Sequence, residues 1–103
     1  MTEAEKTMAD VDDGFYDRAD AHIHLSNDQI TEAATRGKVS ASMMYANARF
    51  SAWVSATSRR SGQEMEHNRE EAIAFFVEQF RLMLEENYDD YTANFDQYMI
   101  QDT

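Results

Sequence analysis

No proline interrupts this chain, and its three glycines sit at positions 14, 37 and 62. Proline removes a helical hydrogen bond and clashes with the preceding turn, and glycine is the next strongest helix breaker, so long uninterrupted helices are the default. The glycines at 37 and 62 lie in polar or basic stretches, "ATRGK" and "RRSGQ". They read as punctuation between an acidic tail ending near Asp13, a first helix over 15–35, a second over 40–59 and a third helical region from 62 onward. Ser40 is placed to cap the second helix, and Ser61 followed by Glu64 has the spacing of a capping box. The sequence predicts an all-α fold, a three-helix bundle forming one domain over 14–103, with a disordered acidic tail over 1–13.

The third region is too long for one ordinary globular helix. At about 100° per residue, Met65, Ala72, Ile73, Phe76, Phe80, Met83 and Leu84 form one apolar stripe. Tyr88, Tyr91, Phe95 and Tyr98 continue it, rotated by roughly a sixth of a turn. Asn87, Asp89 and Asp90 suit a cap or turn, so a kink or break is expected at 87–90, making three helices or four.

The second helix has two faces. Val39, Met43, Ala46, Phe50, Trp53 and Val54 make a bulky one, while Ala41, Met44, Ala48, Ser51, Ala52 and Ser55 make a mostly small one. Such a helix is expected at the centre of the bundle, with Phe50, Trp53 and Phe76 holding the core; a second reading makes the small face an oligomer interface. Residues 39–58 carry a single ionised side chain, Arg49, over about the length that spans a bilayer. Asn47, Thr57 and five serines would be costly in hydrocarbon, so the segment reads as enclosed by protein instead.

Charge is strongly segregated. Twenty acidic residues against nine basic give a formal net charge of −11, yet residues 36–60 hold five basic residues and no acid. The overall charge repels phosphate backbones and anionic membrane surfaces, so neither nucleic acid nor membrane is an expected partner. The basic island is expected to be matched by acidic helices lying against its ends. Alternatively, Arg36 and Lys38 with Arg49 could hold a small anion near the start of the second helix. "TRGKVS" lacks the first glycine and the hydroxyl of a phosphate loop. The absence of cysteine suits a cytoplasmic address, and the N-terminus has no secretory pattern.

Two histidines two residues apart, in "RADAHIHLSNDQ", invite a metal reading. On a helix His22 and His24 point about 200° apart and cannot grip one ion together. His22 borders the buried side given by Phe15, Ala19, Ile23, Ile30 and Ala33, and is expected as a core-edge residue. His24, with Asp20 and Asp28 one turn either side, is expected on a solvated acidic face and is the weak metal candidate of the chain. Glu64 and His67 have the spacing that di-iron bundles use, but those sites need two such motifs. The acidic run Glu85, Glu86, Asp89 and Asp90 lacks the glycine and oxygen spacing of a calcium loop. With no cysteine and no nucleophile-elbow motif the chain reads as a non-enzyme without a cofactor.

Three blocks, "FYDRADAHIHLSND", "GKVSASMMYANARFSAWVSA" and "EEAIAFFVEQFRLMLEENYDDYTANFDQYM", carry a resemblance to a bacterial domain-of-unknown-function family of short all-helical proteins. The likeness covers about residues 15–100. It implies an all-helical bacterial intracellular protein and no established activity, cofactor or site. The expected function is a non-enzymatic interaction module, homo-oligomeric or an adaptor for another protein, with Phe75, Leu82, Tyr88, Tyr91 and Tyr98 as contact residues. The alternative is a small-ligand, anion or metal-binding protein using His22, His24 and Asp20, or Arg36, Lys38 and Arg49.

Overall fold

The chain enters its first helix through a salt bridge. In the computed structural model, which describes residues 11–100, the Arg18 guanidinium donates to the Asp12 carboxylate at 2.6 Å and the Phe15 N–H donates to the Asp12 carbonyl at 3.1 Å. Most of the acidic tail expected over 1–13 lies outside the described residues, but its last part is held against α1 (Phe15–Gln29). That helix stops six residues short of the expected 35. Ile30 turns extended, and Thr31 closes a loop in which its hydroxyl accepts from the Ala34 N–H at 3.1 Å. Threonine offers the backbone this local alternative to the helical ladder.

Thr35, not Ser40, caps the second helix: α2 is Arg36–Thr57, and the Thr35 hydroxyl accepts from the Lys38 N–H at 3.5 Å. Ser61 caps α3 (Gly62–His67) as expected, accepting from the Glu64 N–H at 3.1 Å. The returning Glu64 carboxylate accepts from the Arg60 N–H at 3.4 Å, one residue before the usual partner. Asn68 ends α3, its side-chain amide donating to the Glu64 carbonyl at 2.9 Å, and α4 (Arg69–Ala93) follows.

The helix runs unbroken through 87–90, where a kink was expected. The Asn87 amide donates back to the Met83 carbonyl and the Thr92 hydroxyl to the Tyr88 carbonyl, both at 2.8 Å, so these polar side chains reinforce the helix instead of ending it. The break falls at Asn94, whose side-chain amide donates to the Asp90 carbonyl at 3.1 Å and the Asp90 carboxylate at 2.9 Å. A short α5 (Phe95–Met99) follows. The fold is all-helical, with no strand among the described residues.

Packing follows chain order. α1 lies on α2, α3 on α4 and α4 on α5, whereas the remaining pairs, α2 with α4 among them, hardly approach along their backbones. The radius of gyration is 16.6 Å, against about 12–13 Å for a compact domain of this length. Among the described residues Val39 is the one buried apolar side chain. Phe50 and Trp53, expected in the core, are 61% and 60% exposed, and Phe76 is half-buried. The second helix is therefore not the enclosed centre of a bundle. Its partner face on α4 exists, but a groove is left open between the two.

Candidate functional site

The residues expected as ion ligands do not gather into a site. His22, His24, Asp20 and Asp28 are all exposed on α1, so His22 is not the core-edge residue expected. α1 packs chiefly against α2, and this side of it is left open. No group of three or more His, Cys, Asp or Glu side chains gathers to hold a metal among the described residues. Arg36 and Lys38 occupy the first turn of α2, whereas Arg49 lies eleven residues beyond Lys38 on the same helix. That is about 16 Å along the axis, too far for the three to meet on one small anion.

The five cations of the basic island also lack the partners expected from the acidic helices. Among the described residues, ion pairs join Arg18 to Asp12, Arg69 to Glu70, and Arg81 to Glu78 and Glu85. None includes Arg36, Lys38, Arg49, Arg59 or Arg60, and the Arg59 Nε is shielded from water without a hydrogen-bond partner. The ion pairs that do form are local. In two of them the cation holds the carboxylate charged: Arg18 draws the Asp12 carboxyl below its ordinary value, and Arg81 does the same to Glu78.

Between α2 and α4 opens an apolar groove of about 520 Å³. Its floor on one side is the small face of α2, with Ala48, Ser51, Ala52 and Ser55 flanked by Met44 and Asn47. Its other wall is one face of α4, where Ile73, Phe76, Val77 and Phe80 follow Arg69 and Ala72; Met65 of α3 closes the end. Both walls repeat at three- and four-residue steps, as helical faces do. Apart from Asn47, two serines and Arg69, nothing polar lines it.

α4 thus presents two apolar faces, and cover is divided between them: Ala72 and Phe76 of the expected stripe are half-buried. Phe75 and Leu82, expected as the uncovered seam, are half-buried, and Gln79 between them is 8% exposed. Ile73, Val77, Phe80 and Leu84, members or neighbours of the expected core stripe, are 44–62% exposed. Val77 had drawn no attention in the sequence, because a stripe centred on Phe76 and Phe80 explained the pattern without it.

The aromatic contact residues expected near the C-terminal end are open: Tyr88, Tyr91 and Tyr98 are exposed. Tyr91 and Tyr98 lean on each other with ring centroids 4.9 Å apart. The Tyr98 hydroxyl donates to the Asp90 carboxylate at 3.1 Å, and this hydrogen bond to an anion raises the phenol above its ordinary value.

Residues 15–92 match a family described as "Protein of unknown function (DUF3144)". No curated protein and no solved structure matches the chain.

Proposed function

The chain belongs to this family of proteins of unknown function, and from that premise we propose that it is a non-enzymatic self-associating module whose working form is a homo-oligomer. The observation that carries this reading is burial: Val39 alone among the described apolar residues is buried, while α2 and α4 face an open apolar groove. Exposed apolar surface of this extent is what association covers. Short chains commonly complete their core with a second copy.

Magnitudes favour reciprocal contact over a one-sided one. Fully burying a large apolar side chain contributes about 1.5–3 kcal/mol, so a half-exposed one contributes about 1 kcal/mol. Association costs about 4–15 kcal/mol. Six large apolar side chains line one groove: Met44, Met65, Ile73, Phe76, Val77 and Phe80. Covering one groove gives about 6 kcal/mol, near the bottom of that cost, and covering the grooves of two copies doubles it to about 12 kcal/mol.

Native mass spectrometry and sedimentation of the full chain at micromolar concentration test the proposal. The expected mass is an integer multiple, at least two, of the single chain. A single-chain mass at every concentration would reject it.

A further inference from the structure

Resting on that self-association, we infer that the groove of each chain seats α4 of a second copy, so that α2 and α4 of two chains make a reciprocal four-helix core. The ridge Ile73, Val77 and Phe80 of one chain lies on the floor Ala48, Ser51 and Ala52 of the other.

Size is the first ground. Beyond Met44 and Asn47 the α2 wall of the groove is built of small side chains, and the α4 wall, Ala72 apart, of large ones, so large meets small when α2 faces an α4. The chain's own α4 leaves the groove between it and α2 open. Length agrees: the floor over 44–55 and the ridge over 69–80 each span eleven residue steps, about 16 Å on both helices.

Charge is the second, independent ground. α2 carries Arg36, Lys38 and Arg49 and no acid, whereas α4 carries seven acids against Arg69 and Arg81. Both of those arginines are already engaged by carboxylates of α4 itself. An α2 beside a second α2 sets like charges together. An α2 beside the partner's α4 sets opposite charges together, which favours that pairing. Because each copy gives one ridge and takes one, the contact is self-complementary and closes at two chains.

Cysteine pairing tests the arrangement, since the chain has no cysteine of its own. Full-length Ala52→Cys and Val77→Cys proteins are unfolded together, refolded as a mixture and oxidised. The mixture is expected to give a disulfide-linked pair containing one of each, at least tenfold more abundant than the linked pair from either variant alone. Equal cross-linking of Ala52→Cys alone would mean α2 against α2 and overturn the inference. No cross-link in the mixture, with the unsubstituted chain still oligomeric, would overturn it while leaving self-association standing. A monomeric unsubstituted chain would remove both. Val77→Glu gives a second readout: Val77 is 62% exposed within one chain, so helicity is expected to persist while the mass falls to that of a single chain. An unchanged oligomer would overturn the inference.

Discussion

Gly37 occupies the first turn of α2 without using the freedom that glycine provides. Its φ is not positive, and nothing lies within 4 Å of where a Cβ would stand. Gly37→Ala therefore removes only the entropy that glycine carries in the unfolded chain, and is expected to raise stability by up to about 1 kcal/mol. For a domain of this size that is a rise of several degrees in Tm by circular dichroism. A fall would show that a side chain at this point meets something outside the single chain. Gly37 had looked like a break because glycine usually is one; Thr35, two residues earlier, was the cap. The residues most readable from sequence were those whose partner is a fixed step away. Ser61 and Glu64 form their cap because both ends of that contact lie within one helical turn. His22 was misplaced because its burial depended on which neighbouring helix would pack against α1.

At the scale of the element, the corner between α4 and α5 is expected to respond to pH. Tyr98 donates from α5 to Asp90 on α4, and the anion holds the phenol above the ordinary value of 10.0. A group whose pKa rises on folding contributes stability that is fully present below its unfolded value and is lost as pH climbs through the folded one. The contact is therefore complete below pH 10 and is lost at more alkaline pH, where α5 is expected to release from α4. Chemical shifts of residues 95–99 followed from pH 8 to 12 read this directly, and Tyr98→Phe is expected to abolish the dependence on this contact. An identical alkaline response in Tyr98→Phe would show that the hydrogen bond does not hold the corner. The existence of the helices was legible in the periodicity, and their ends were less so. Asn87, Asp89 and Asp90 resemble turn residues in composition, yet the Asn87 amide bonds back onto Met83 and the helix continues until Asn94. Nor could the spacing say how cover is divided between two apolar faces on α4, because Phe75 and Leu82 satisfy a helical repeat as well as Ile73 and Phe80 do.

For the whole molecule, the principal extents of 54 × 34 × 24 Å describe an elongated body with its apolar walls open. A chain that completes its core with a second copy has a stability that depends on how much of it is present. Its thermal midpoint is expected to rise steadily as concentration is raised from about one to about a hundred micromolar. A midpoint independent of concentration over that range would mean that one chain is stable alone. The all-helical class was readable from the absence of proline, and the bundle was not, since three amphipathic helices specify which faces are apolar without specifying which chain covers them. The unmatched cations of α2 were visible as a basic island, but only the positions of Arg69 and Arg81 revealed that α4 spends its own arginines on itself.

Helices that pack on their neighbours in sequence need little loop closure before their contacts form, so each step within one chain is local and quick, on the scale of microseconds to milliseconds. Covering the groove with a second copy, as proposed, would be different in kind, because two chains would have to meet. Such a protein would acquire its helices at a rate indifferent to dilution and its interior at a rate set by encounter. Its abundance would then govern how long each new chain stays unfinished.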